Sequence, residues 1–82
     1  MYIKIHEAYR IIVAVADADI IGKTFEEGIK QIEIRPSFFE GDKKTKEELI
    51  TILRNLDNED STFNIVGEKA VATAIEAGII SQ

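Results

Sequence analysis

The stretch Ile11-Ile12-Val13-Ala14-Val15-Ala16, closed by Asp17, decides the fold class. Its residues are all apolar and four of the six are β-branched, so either face of an extended chain here is greasy. Such a run reads as a central strand. Upstream, residues 2–7 alternate: Ile3 and Ile5 point one way, and Tyr2, Lys4 and His6 the other. That is the pattern of a half-buried strand. The link Glu7-Ala8-Tyr9-Arg10 is too short for a crossover, so the two strands are expected to form an antiparallel hairpin.

Downstream, Asp17 is expected to cap a short helical turn through Asp19-Ile20-Ile21, with Gly22 as its stop. Residues 29–35 alternate again, Ile32 and Ile34 against Gln31, Glu33 and Arg35, until Pro36 ends the run. Ser37-Phe38-Phe39-Glu40-Gly41-Asp42 reads as a loop with two aromatics tucked under the sheet or a helix.

Residues 45–56 predict a helix: Thr45 and Glu48 have capping-box spacing, and Leu49, Ile52, Leu53 and Leu56 form an apolar stripe. Asp57-Asn58-Glu59-Asp60-Ser61 reads as an acidic surface loop. A second helix is expected over residues 67–77, burying Ala70, Val71, Ala74 and Ile75, with Gly78 and Ile79 forming a Schellman close. Together these elements give one α+β domain over residues 1–82. The expected architecture is a two-layer sandwich: a small, mostly antiparallel sheet with two helices packed on one face. The other sheet face would then present Lys4, His6, Gln31 and Glu33.

Bulk properties exclude several functions. A chain of 82 residues buries roughly 60–65% of its unfolded surface and has little room for a large cofactor. With 45% hydrophobic and 30% charged residues it belongs among ordinary folded domains rather than disordered chains. It holds no cysteine and one histidine, which removes thiolate chemistry and cysteine-based metal sites. No apolar run approaches the roughly 20 residues of a membrane span, and the first residues do not resemble a signal peptide. A cytoplasmic protein with no membrane contact is expected. Net charge is −5, carried mostly by residues 45–82, with 3 basic against 7 acidic side chains. That balance argues against direct DNA binding, because neutralising phosphates drives such affinity.

The chemical motifs each have a plainer reading. Gly22-Lys23-Thr24 echoes a phosphate-binding loop, but the glycine required five positions earlier is Asp17. Asp17 and Asp19 echo a calcium loop, but the closing glutamate would fall on Gly28. Lys43, Lys44 and Lys46 lack the interleaved aromatics of an RNA-binding surface. His6 and Glu33 would form an acid–base pair if their strands were neighbours. Asn64, Gly67, Glu68 and Lys69 sit at the expected start of the last helix, where free N–H groups bind anions and Glu68 suits the dipole.

These segments carry a resemblance. The apolar strand ending at Asp17, then Ile20-Ile21-Gly22-Lys23-Thr24-Phe25 with Gly28, Phe38-Phe39-Glu40-Gly41, and above all Asn64-Ile65-Val66-Gly67-Glu68-Lys69-Ala70-Val71, resemble the archaeal domain-of-unknown-function family 424. The likeness spans nearly the whole chain. It departs at the first hairpin, where the family is often glycine-rich and this chain has Glu7-Ala8-Tyr9-Arg10. The resemblance implies a compact, intracellular two-layer α/β sandwich. It implies no established activity, and links the chain to the translation machinery only as a suspicion.

Asp17, Lys23, Asn64, Gly67, Glu68 and Lys69 are therefore the candidate binding residues. No catalytic residue, metal site or cofactor is expected. The leading functional expectation is a non-enzymatic module that binds a protein or ribonucleoprotein. The alternatives are a small ligand-binding or enzymatic domain using His6 and Glu33 or the helix start at residues 64–69, and a homodimer formed through an open sheet face or edge.

Overall fold

In a computed structural model of the chain, the structure describes residues 1–7, 9–27, 30–57 and 61–80. The strands are β1 (Tyr2–Glu7), β2 (Ile11–Ala16), β3 (Thr24–Glu27), β4 (Lys30–Glu33), β5 (Asp42–Lys43) and β6 (Ser61–Val66). The helices are α1, a single turn (Pro36–Phe39), α2 (Lys46–Leu56) and α3 (Glu68–Ala77). The class is α+β. Ala8 at the first hairpin tip, Gly28 and residues 58–60 of the acidic loop lie outside the described residues.

The apolar run takes the central place expected of it. β2 lies between β1, its antiparallel hairpin partner, and β6, in a sheet ordered β5-β1-β2-β6. Val13, Ala14, Val15 and Ala16 are all fully buried. The sheet is mixed: β1 pairs antiparallel with β2 and β5, whereas β2 and β6 run parallel, with Ala14 opposite Asn64 and Ala16 opposite Val66. β6 is the strand that the sequence reading passed over. β3 and β4 form a separate antiparallel hairpin, so Glu33 is not in the same sheet as His6.

The period of two along β2 sorts the core into two clusters. Val13 and Val15 face α2 and α3, where Ile3, Leu49, Leu53, Ala70 and Ala77 complete the main core. Ala14 and Ala16 face the other way and meet Ile34 and Phe39, with Ile20, Ile21, Phe38 and Val66 packed around them. The second sheet face is therefore not the open polar surface expected. α1 covers part of it: the His6 ring stacks on Phe38 at 4.6 Å and bonds the Phe38 carbonyl at 2.9 Å, and Lys4 Nζ donates to the Ser37 carbonyl. Aromatic residues read as loop lie on a helical turn because Pro36 sits at its first position, where its missing N–H costs nothing.

α2 has the expected capping box. Glu48 N–H donates to Thr45 Oγ1, and Thr45 N–H donates to Glu48 Oε1. α3 ends in the Schellman arrangement: Gly78 adopts φ 81°, its N–H reaches the Ile75 carbonyl, and Ile79 N–H reaches that of Ala74. The buried stripe of α3 differs from the expected one. It is Ala70, Thr73, Ala74 and Ala77, with Val71 and Ile75 only half-buried. Thr73 satisfies its hydroxyl by donating to the Lys69 carbonyl at 2.7 Å, which lets a polar residue sit in the core. α2 and α3 are tied at the surface by Lys46–Glu76 at 2.6 Å, and the Lys46 ammonium titrates above its ordinary range because Glu76 accepts its hydrogen bond.

Two tests follow from the core and the cap. Leu53→Ala empties a fully buried position and is expected to cost about 2–5 kcal/mol by denaturant unfolding. Glu48 titrates below the usual carboxylate range, chiefly because it accepts the Thr45 backbone N–H, then through the Thr45 side chain and Lys44. Its contribution is present above the unfolded-state pKa and is lost as pH falls through the depressed folded value. Glu48→Gln should therefore melt below wild type at neutral pH, with the gap closing in acid.

Candidate functional site

β2 and β6 run parallel, so their C-terminal ends emerge side by side. Asp17 N–H donates to the Val66 carbonyl at 3.2 Å and extends the ladder by one step. Beyond it the two chains part, β2 into a 3-10 turn (Ala18–Ile20) and β6 through Gly67 into α3. The Asp17 carboxylate sits at this divide with only 6% of the residue exposed. Its Oδ2 accepts Lys69 N–H at 3.1 Å and its Oδ1 accepts Ala70 N–H at 2.7 Å. These are the second and third amides of α3, the donors that a capping side chain normally takes.

Asp17 was expected to cap the turn that follows it in sequence. Its side chain instead caps α3, more than fifty residues away, and makes no cap bond to the 3-10 turn. The reason is Gly67, which occupies the capping position of α3 and has no side chain to offer. Its φ of 102° is strained for an L side chain, and a Cβ there would lie 2.4 Å from Asp17 Cγ. Asp17 and Gly67 are thus complementary. The carboxylate satisfies two amide donors and places negative charge at the positive end of the helix dipole.

Around this cap lies an open cleft of ≈ 490 Å³. Ile20, Phe25, Ile34 and Val66 supply its apolar wall, and Asp17, Asp19, Glu68 and Lys69 its polar side. Phe25 leaves 43% of its surface exposed. The hairpin that carries Phe25 is stitched at its base: Gly22 N–H donates to the Ile34 carbonyl at 2.7 Å and Ile34 N–H to that of Lys23 at 2.9 Å.

The structure thus brings Asp17, Gly67, Glu68 and Lys69 together and leaves two candidates apart. Lys23 is exposed just before β3 and outside the cleft wall. Asn64 is an exposed mid-strand residue opposite Ala14, not part of the helix start. Gly22-Lys23-Thr24 runs into a strand, so it lacks the helix N-terminus that a phosphate-binding loop requires. His6 and Glu33 are engaged separately, His6 by Phe38 and Glu33 by Arg35 at 3.6 Å. Among the described residues no group of three or more His, Asp or Glu side chains could hold a metal ion. No described helix is long and apolar enough to cross a membrane. The sequence reading missed Asp19, Ile20, Phe25, Ile34 and Val66 as cleft residues; the available signal was an apolar residue at 20 and an aromatic at 25 in an otherwise polar stretch.

This is an α+β domain built around a capped helix start and an adjacent cleft. The chain matches the profile of a protein family of unknown function, DUF424, over residues 6–82, and belongs to that family. The structure is similar to the crystal structure of an uncharacterized conserved protein from Methanopyrus kandleri, with a TM-score of 0.88 and 20% identity. The match covers 99% of this chain and 76% of that one, and at this identity it shows a common fold alone. No curated protein matches.

Asp17→Ala orphans two helix donors in a buried setting and is expected to cost about 2–4 kcal/mol in chemical denaturation. Gly67→Ala should cost about 1–3 kcal/mol through the strained φ and the crowding against Asp17. The double variant should be less destabilised than the sum of the two, because removing the carboxylate relieves the crowding.

Proposed function

We propose that this chain is a non-enzymatic binding module that receives an apolar, basic segment of a protein partner in the cleft beside α3. The observation that carries this reading is the capped helix start. An uncapped start would attract phosphate or carboxylate, but here Asp17 already takes the second and third amides. With Asp19 and Glu68 on the same wall, the polar side is acidic apart from Lys69. An anion would be repelled there, whereas a lysine or arginine beside an apolar side chain matches both the carboxylates and Ile20, Phe25, Ile34 and Val66.

The same charge argument bears on a ribonucleoprotein partner, including one in the translation machinery. A net charge of −5 disfavours the phosphate backbone, so docking would be to the protein component. Asp17 and His6, the groups best suited to proton transfer, are engaged by backbone amides and by Phe38 respectively, which favours binding over catalysis. A cleft of ≈ 490 Å³ also falls within the size of small-molecule sites, which keeps a small apolar cation as the second reading.

The test is affinity capture from native extract, with and without nuclease, comparing wild type, Phe25→Asp, Glu68→Lys and Lys23→Ala. A stoichiometric protein should survive nuclease and be reduced at least tenfold by Phe25→Asp and by Glu68→Lys, each still folded, while Lys23→Ala retains it. Equal recovery with all variants would sink the cleft as the docking surface.

A further inference from the structure

We infer that the partner segment docks by adding a strand to the outer edge of β6, running beside the cleft. This rests on the binding-module reading above and specifies how its occupant is held. Among the described residues the sheet ends in two unlike strands. At one side β5 is two residues long and charged, Asp42–Lys43. At the other β6 is six residues long, Ser61-Thr62-Phe63-Asn64-Ile65-Val66, and contains no charge and no proline. Short length, charge and proline are the usual means of blocking an open edge; β5 has two of them and β6 none.

The direction of the ladder shows which groups the edge offers. The Val66 carbonyl accepts Asp17 N–H, so the backbone groups of Val66 face β2. Successive residues of a strand turn their N–H and C=O to opposite sides. Those of Phe63 and Ile65 therefore point outward, past the last strand. They are spaced to pair with alternate residues of an extended peptide.

The surface flanking this edge suits such a peptide. Glu76 of α3 faces α2 through Lys46. At 100° per residue, Val71 and Ile75 fall on the flank of α3 turned away from α2. Both are half-buried, and with Gly67, Glu68 and Ala72 they line an open depression. Gly67 and Glu68 also line the cleft, so the depression and the cleft form one continuous surface. The occupant that matches is an extended segment alternating apolar residues with lysine or arginine. Its backbone would pair with Phe63 and Ile65, its apolar side chains would meet Val71 and Ile75 on the helix side, and its cations, on the opposite side, would meet Asp19 and Glu68.

The experiment is selection of random peptides displayed on phage against the whole chain, followed by amide exchange by NMR with the enriched peptide. Enriched peptides should alternate apolar with basic residues, and the Phe63 and Ile65 amides should exchange at least about tenfold more slowly in the complex. Ile65→Pro removes an outward N–H without breaking a ladder bond, and should weaken binding at least about tenfold. Asp19→Lys with Glu68→Lys is a second test that leaves the backbone untouched; it should weaken binding about tenfold at low salt and less at high salt. Acidic or unpatterned peptides would overturn the proposal. Peptides that perturb Phe25 and Ile34 but leave the Phe63 and Ile65 amides unprotected would overturn strand addition while keeping the binding module. A dimer in sedimentation that Ile65→Pro dissolves would assign the edge to a second copy of this chain and overturn the peptide occupant. Enrichment of no peptide would count against both readings.

Discussion

The Asp17 carboxylate at the start of α3 is the interaction on which the arrangement depends. It joins the end of the central strand to the last helix through two charge-assisted hydrogen bonds. It is buried, and a buried carboxylate without partners would be costly. The amides it accepts have no intrahelical acceptor of their own. Each side removes the other's desolvation penalty, so the contact fixes where α3 begins relative to β2. Gly67 is the accompanying constraint: only a residue tolerant of φ 102° and lacking a Cβ allows the carboxylate this close.

From that junction the rest of the architecture follows. α3 runs back across the sheet beside α2, and the small side chains Ala70, Ala74 and Ala77 let it lie close. Val13 and Val15 meet both helices, while Ala14 and Ala16, smaller on the opposite face, admit Phe39 and Ile34. The volume difference between valine and alanine on alternating positions of one strand matches the two layers of cover. The side chains at the divide between β2 and β6 cannot all be buried by these layers. What remains uncovered is the cleft, bounded by Ile20, Phe25 and the start of α3.

The electrostatics of that cleft run against the usual use of a helix start. Two of the helix-start donors, the Lys69 and Ala70 amides, are spent on structure, and the residual field comes from Asp19 and Glu68 beside one lysine, Lys69. A site with this balance selects cations and apolar groups, in keeping with the acidic balance of the whole chain. The uncharged edge of β6 adds directional hydrogen bonding to a surface that would otherwise discriminate by charge and shape alone.

Local chemistry in the sequence determined the β1–β2 hairpin, the buried character of β2, the Thr45–Glu48 capping box, the core residues of α2, and the Schellman close at Gly78. Each of these depends on residues a few positions apart, so a period of two or 3.6 and a cap spacing suffice to show them. β6 was legible in principle, since Thr62 and Asn64 alternate with Phe63 and Ile65, but an alternation over four residues beside an acidic stretch gives a weak signal. The pairing of β2 with β6, the cover of His6 by Phe38, and the capping of α3 by Asp17 were decided only by the tertiary structure. Asp17 shows why. A carboxylate after a strand and before a turn has a local helix to cap, and sequence offers no reason to look further. Three-dimensional packing presents it with better donors from α3, and the buried amides, having no other acceptor, decide the outcome.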